Sequence, residues 1–278
     1  LGIGGVQLFR AEVAGPTADK ITPRIKQTAK LLWGIYVGFV LFLTVIYYFE
    51  GMSFFDSLCH SFGTMATGGF STHSESLSFF NSSIIEWTTI IFMFAAATNF
   101  TLHYIFIAKG EFKYFKNSEF RVYFSIILFV SFLIFLNLIF NNINSFGFDT
   151  MRDSIFTTIS LLTTTGYTTE NYELWPNFAT SMCFFLLFLG GTAGSTTGGI
   201  KIIRTILIFK YLFVELKRIL HPNGIYTIKI GDKIIDDNII KNTLGFYMFY
   251  MFIFIGFAFC ISMYDIDLLT SLSTSASA

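Results

Sequence analysis

Long apolar runs separated by short polar stretches set the pattern of this chain. Runs of roughly 20 mainly apolar residues match the length needed to cross ~30 Å of hydrocarbon. They predict spans at about 31–49, 84–108, 120–140, from about 177 onward, and 242–264. Residues 53–66 form an amphipathic helix too short to cross. A second short helix is expected from Asp153-Ser154, and a third from Asp267. The first two run into polar loops, Ala66-Thr67-Gly68-Gly69-Phe70-Ser71-Thr72 and Thr163-Thr164-Thr165-Gly166-Tyr167-Thr168-Thr169.

These features repeat at an offset of 97 residues: Asp56-Ser57 lies over Asp153-Ser154, Gly69-Phe70 over Gly166-Tyr167, and Thr72 over Thr169. The unit is span, short helix, polar loop, span, an internal repeat that organises the fold. The expected division is a cytoplasmic loop at 1–30, a pore repeat at 31–108 and a cytoplasmic loop at 109–119. A second pore repeat with a broken second span follows at 120–214, then a cytoplasmic segment with a hairpin at 215–241, and the start of a truncated repeat at 242–278. The hairpin rests on apolar–polar alternation from Tyr226 to Ile235 around Gly231-Asp232. The chain begins at Leu1 and stops within what reads as a helix, so it is expected to be a fragment of a longer protein.

Composition narrows the class to an all-α integral membrane protein. Apolar residues make up 53% and charged residues 13%, about half of the ~25% of an ordinary soluble domain, and mean hydropathy is +0.63. The net charge of zero carries no basic stripe, and no nucleic-acid partner is expected. Cys59, Cys183 and Cys260 lack metal-ligand spacing and make no disulfide framework. Charge also orients the chain. Lys and Arg divide 17 to 1 between the two sides, with only Arg152 outside segments 1–30, 109–121 and 201–241. Cytoplasmic loops carry the basic excess, so both threonine-rich loops enter from outside. Trp33, Trp87 and Trp175 fall at predicted span ends, where an indole prefers the interface.

The two loops carry the candidate chemistry. A potassium-type filter replaces the ion's hydration shell with rings of carbonyl oxygens, and glycine reaches the backbone angles this needs without penalty. The candidate ion-binding residues are Thr67, Gly68, Gly69, Phe70 and Ser71, with Thr164, Thr165, Gly166, Tyr167 and Thr168. Phe70 and Tyr167 are expected to pack outward and brace the loops. Each short helix would aim its partially negative C-terminal end at a cation. With mostly one glycine per loop, selectivity over Na⁺ is expected to be looser than in filters with two. The competing reading is an ordinary re-entrant loop that caps a helix.

The fourth span is interrupted by Gly190, Gly191, Thr192, Ala193, Gly194, Ser195, Thr196, Thr197, Gly198 and Gly199. A break at membrane depth is tolerated only where it is buried in protein or lines a cavity. This one suits a gate; the rival is a small-residue surface for helix packing. A phosphate-binding loop fails because Ile200 follows Gly199 where a lysine is required. Asn99 overlies Thr196 within a polar stretch, Thr98 to His103, and either lines the pore or makes structural hydrogen bonds. Lys201 and Arg204 read as a basic anchor or as gating contacts. Asp56 and Asp153 read as starts of short helices. Glu50, Glu75, Asp149, Glu170 and Glu173 lie on the outer face, where solvated surface is the default and cation enrichment the alternative. His60, His73, His103 and His221 have no ligand spacing. An intramembrane enzyme would need a pair such as Ser57 with His60, yet Thr157 overlies His60 in the second unit, and no enzyme is expected.

Several stretches together resemble the TrkH family of potassium uptake proteins over the whole chain. They are Gly4-Gly5-Val6-Gln7-Leu8-Phe9-Arg10-Ala11-Glu12, Gly15-Pro16, Leu31-Leu32-Trp33, Thr67 to His73, Asn99 to His103, Thr163 to Thr168, and Gly190 to Lys201. The resemblance implies repeated span–pore helix–filter loop–span units around a pseudo-fourfold pore, four in all, of which this chain would supply the second and third. It implies K⁺ as the transported ion with no organic cofactor in this chain, and the segment at 190–199 as an intramembrane gating loop. It also implies a multi-pass protein of the bacterial inner membrane, in contact with lipid. A homodimer and a cytosolic ring of nucleotide-binding regulatory subunits follow from the same resemblance. An arginine that the family places in its last repeat would fall outside this chain. The expected function is potassium uptake through a channel-like pore. The alternative is an ion-coupled secondary transporter, a K⁺ or Na⁺ symporter with the same pore loops, although the shared orientation of the repeats disfavours inverted-repeat architecture.

Overall fold

The computed structural model describes residues 25–141, 147–222, 224, 226–231 and 233–277. The motif at 4–12, Gly15-Pro16 and Asp232 of the hairpin turn lie outside the described residues. The first unit starts with α1 (Ile25–Phe49). A tight turn through Gly51, whose φ of +104° favours glycine, returns the chain into α2 (Phe54–Met65). The start of α2 is fixed by a reciprocal cap. Ser53 Oγ accepts from Asp56 N at 3.1 Å and donates to the Asp56 carboxylate at 2.6 Å.

The expected second span is two helices, α3 (Ser83–Ala96) and α4 (Phe100–Lys109), bent by 98°. Asn99 explains the corner. Its backbone is non-helical, and its side-chain oxygen accepts from Thr101 N at 2.8 Å, which starts a new helix where apolar content alone predicts continuity.

The second unit comprises α5 (Ser118–Phe140), α6 (Phe148–Leu162), α7 (Asn177–Leu186) and, after an irregular stretch, α8 (Ile202–Leu220). The α6 helix begins five residues before the expected Asp153, immediately after an extended Gly147. Asp153 is therefore in the second turn, buried beside Arg152, and does not cap the helix as Asp56 does. A two-stranded hairpin, β1 (Lys229–Ile230) with β2 (Lys233–Ile234), turns at Gly231 and precedes α9 (Asp237–Ser262) and α10 (Leu268–Ser277). The Asp267 carboxylate accepts from Thr270 N at 3.0 Å where α10 begins.

Among the described residues, α1, α5 and α9 are long and apolar enough to cross a membrane, and the bent α3–α4 pair makes a fourth if counted as one span. That differs from five expected spans because the second is bent and α7 stops at Leu186. The same packing recurs in each unit: α1 against α2, α5 against α6, α9 against α10. The units join where α3 packs on α6, around buried Tyr47, Met65, Met93, Phe156, Leu162 and Tyr167. Tyr47 OH also hydrogen-bonds Thr89 Oγ1 at 2.7 Å, and Thr44 Oγ1 meets Ser61 Oγ at 2.6 Å, so hydroxyls tie α1 to α3 and α2. A mostly buried ion pair between Arg152 and Glu86 links α6 to α3. Arg152 further donates to Ser83 Oγ at 2.6 Å. Phe42, Phe49, Phe129 and Phe252 stay exposed on the long helices, as apolar surface facing hydrocarbon requires. A second cluster (Ile203, Leu207, Ile228, Ile230, Ile240) packs α8, the hairpin and α9 together.

Candidate functional site

The two threonine-rich loops have the same backbone. In the first, Thr67 and Gly69 take positive φ of +52° and +63°; in the second, Thr164 and Gly166 take +55° and +83°. Gly63 O accepts from Gly68 N at 2.8 Å and Gly69 N at 3.3 Å. Ser160 O accepts from Thr165 N at 3.0 Å and Gly166 N at 3.2 Å, the same bonds 97 residues on. Successive carbonyls of an extended strand point opposite ways; alternating left-handed and ordinary residues turns them toward one side. The carbonyl oxygens of Thr67, Gly68, Gly69, Thr164, Thr165 and Gly166 accept no hydrogen bond from any described residue. Thr67 and Thr165 are buried, where backbone is otherwise almost always paired, and the other four residues are partly or fully exposed, so the row is open to water or an ion.

The loops lie side by side. A β-carbon on Gly69 would overlap the Thr165 carbonyl. Tyr167 is 2% exposed, and its hydroxyl donates to Phe70 O and His60 O, both at 3.3 Å. Gly63 leaves the room for that hydroxyl, since a β-carbon there would collide with it. Ser160 Oγ holds Tyr167 O at 2.6 Å. Bracing by the aromatic thus holds for Tyr167 only. Phe70 is 84% exposed, and its ring carries no hydroxyl to bond as that of Tyr167 does. His60 bridges helix and loop, bonding Asp56 O at 2.8 Å and Ser71 Oγ at 2.9 Å. Ser57 Oγ donates to Ser53 O at 2.8 Å instead, so Ser57 and His60 are not a nucleophile–base pair.

Residues 187–201 are not helical, which removes the small-residue helix-packing reading. The segment docks on the α3–α4 corner. Thr192 N and Oγ1 donate to Ala97 O at 3.0 and 3.1 Å, and Thr196 N and Oγ1 to Ala96 O at 3.3 and 3.1 Å. Gly194 O accepts from Phe100 N at 3.0 Å. Gly191 allows the approach, as a β-carbon there would sit 2.6 Å from Ala97 O. The segment also touches both threonine-rich loops: Thr67 Oγ1 donates to Thr196 O at 3.2 Å, and Thr164 Oγ1 accepts from Gly198 N at 2.8 Å. The two left-handed threonines are therefore its points of attachment to the loops.

The family model described as TrkH, a cation transport protein, matches residues 1–278. The chain belongs to the TrkH family. The Trk system potassium uptake protein TrkH of Vibrio parahaemolyticus serotype O3:K6 is 40% identical over 259 residues, covering 92% of this chain and 53% of that protein. TrkG of Escherichia coli K12, also a Trk system potassium uptake protein, is 34% identical over 282 residues, covering 99% and 57%. The crystal structure of the potassium transporter TrkH from Vibrio parahaemolyticus superposes with a TM-score of 0.88 at 36% identity, over 99% of this chain and 60% of that one. The chain spans about half the length of the curated relatives it matches. Membership of the TrkH family together with several apolar helices makes it part of an integral membrane protein of a bacterial cation-transport family.

The remaining candidates sort by what they touch. Asn99 caps α4 and lies against Gly194, where a β-carbon would be 3.1 Å from its side-chain oxygen. Lys201 is no surface anchor. It turns back into the segment, where its ammonium donates to Thr197 O and Oγ1 (the latter at 2.9 Å) and to Ser195 O and Oγ at 3.4 and 3.3 Å. Arg204 places its guanidinium 3.9 Å from the centroid of the Phe246 ring on α9. Glu75, Asp149, Glu170 and Glu173 are exposed, whereas Glu50 accepts from Thr88 Oγ1 at 2.5 Å. Sequence reasoning missed Glu119, which it left at the end of the expected loop at 109–119. The Glu119 side chain is buried and accepts from Ala193 N at 2.8 Å and Ile203 N at 3.1 Å, gripping the glycine-rich segment and the start of α8. The available signal was Asn117, an N-cap two residues earlier that makes Glu119 part of a span rather than of a loop.

Proposed function

We propose that this chain supplies two of four quarters of a potassium pathway. In this reading dehydrated K⁺ passes along the loops Thr67 to Ser71 and Thr164 to Thr168, chiefly on the carbonyls of Thr67, Gly68, Gly69, Thr164, Thr165 and Gly166, since those of Phe70 and Tyr167 are held by Tyr167 OH and Ser160 Oγ. The observation that carries it is the repeated left-handed pair at Thr67/Gly69 and Thr164/Gly166, with six carbonyls that no described residue engages. Oxygen rows of this kind replace a hydration shell. The similar Trk proteins named as potassium uptake proteins supply the choice of ion.

The segment at 190–199 is the gate in this reading. Its hydrogen bonds to Thr67 and Thr164 support a role directly behind the loops. A homodimer in membrane lipid, controlled by a cytosolic nucleotide-binding regulatory subunit, completes the proposal; the naming of similar proteins as parts of a Trk system agrees with a regulated assembly. The test is rubidium tracer uptake by the full-length protein in cells that lack their own potassium uptake. A β-carbon added at Gly166 would meet nothing within 4 Å, yet the backbone there has a φ of +83°, so Gly166→Ser alters the loop without a clash. Uptake or discrimination against Na⁺ should fall while the protein accumulates normally. Unchanged uptake and selectivity would sink the filter reading.

A further inference from the structure

We propose that Ser195 and Thr197 form a second monovalent-cation site, in the glycine-rich segment, which the Lys201 ammonium fills as a tethered occupant. The inference deepens the gate reading above and rests on it. The ammonium meets two carbonyl and two hydroxyl oxygens: Ser195 O and Oγ at 3.4 and 3.3 Å, Thr197 Oγ1 at 2.9 Å, and Thr197 O. An ammonium has three protons to donate, fewer than the oxygens that converge on it. Neutral carbonyl and hydroxyl oxygens are the ligand set that takes a desolvated K⁺, and an ammonium carries the same charge at nearly the same size.

The position is otherwise a poor one for lysine. Lys201 is the residue before α8, where free backbone N–H groups make the helix end partially positive. A lysine near a span end ordinarily extends its amine toward water. Lys201 does the reverse, and the oxygens of the segment are what hold it there. Glu119, bonded to Ala193 N and to Ile203 N two residues past Lys201, places a carboxylate on the same segment.

The placement couples the cage to the threonine-rich loops. Thr196 and Gly198, on either side of Thr197, are the residues bonded to Thr67 and Thr164. A passing K⁺ and the ammonium repel each other and compete for the same oxygens, so conduction requires Lys201 to leave. Its departure frees a cation site one residue from both attachment points.

The experiment is rubidium flux into liposomes that hold the full-length protein with its regulatory partner and no added nucleotide. Lys201→Met removes charge and donors; Lys201→Gln removes the charge but keeps a side chain able to hydrogen-bond the same oxygens. Both should raise resting flux about tenfold, the scale of one lost charged hydrogen bond, with discrimination against Na⁺ retained. Flux that stays at the wild-type level in Lys201→Gln overturns the proposal, because the lysine then acts as a hydrogen-bonding staple and not as a cation. A rise accompanied by lost discrimination also overturns it. If Lys201→Met does not accumulate, Lys201→Gln alone decides. Gly166→Ser in the same liposomes reads the filter separately, so either claim can fail with the other standing.

Discussion

The corner at 97–99 and the segment at 187–201 occupy corresponding places in the two repeated units, one after α3 and the other after α7. The corner turns the chain by 98°, and Asn99 meets its need for a cap locally. The longer segment is braced within itself, as by Gly190 N to Ile200 O at 2.8 Å and Gly191 N to Thr197 Oγ1 at 2.9 Å. It also draws bonds from separate elements: Ala96 and Ala97 on one side, Glu119 on another, and Thr67 and Thr164 at the loops. A break capped by its own residue suits a fixed platform. On the gate proposal, a break held in part by its neighbours is one they can release, which would set the gate in the second unit and its dock in the first.

Removing the neighbours' grip is the strongest way to break this contrast. Glu119→Ala leaves the buried N–H groups of Ala193 and Ile203 without their acceptor, at about 1–3 kcal/mol for each. Thermal unfolding of the full-length protein in detergent should show a clear drop, and hydrogen exchange should rise at 190–199. Unaltered exchange there would contradict the grip. Gly191→Ala comes next. Its β-carbon would sit 2.6 Å from Ala97 O and 2.9 Å from the Ala97 side chain, wedging the segment at 190–199 off the corner. Overpacking of this kind costs about 1–3 kcal/mol; resting rubidium flux should increase, and a flux at the wild-type level would argue that the docking is incidental. Asn99→Ala is the smallest, about 1 kcal/mol for a lost N-cap. Its effect should appear in stability and leave the Rb⁺/Na⁺ ratio unchanged. A shifted ratio would mean that Asn99 lines the pathway.

The sequence made the repeated part legible and the broken part much less so. Apolar runs placed α1, α5 and α9, and the 97-residue offset alone paired Thr67 with Thr164 and Gly69 with Gly166. The corner at Asn99 was hidden because it contains neither glycine nor proline and its flanks are apolar enough to read as one helix. Asp153 misled because an acid–serine pair resembles a helix start, while the actual start follows Gly147, which caps with no side chain. Lys201 entered only as a basic charge and Glu119 only as part of an expected loop, and neither reading gives a direction. Both turn inward, a choice that only tertiary contact decides.

The central claim is that the unpaired carbonyls of the two loops carry the ion. Crystals of the full-length protein soaked in rubidium test it through anomalous scattering. Rubidium ordered against the carbonyls of Thr67 to Gly69 and Thr164 to Gly166 is the predicted result. Rubidium bound elsewhere in the same crystals, with none at those oxygens, would contradict it.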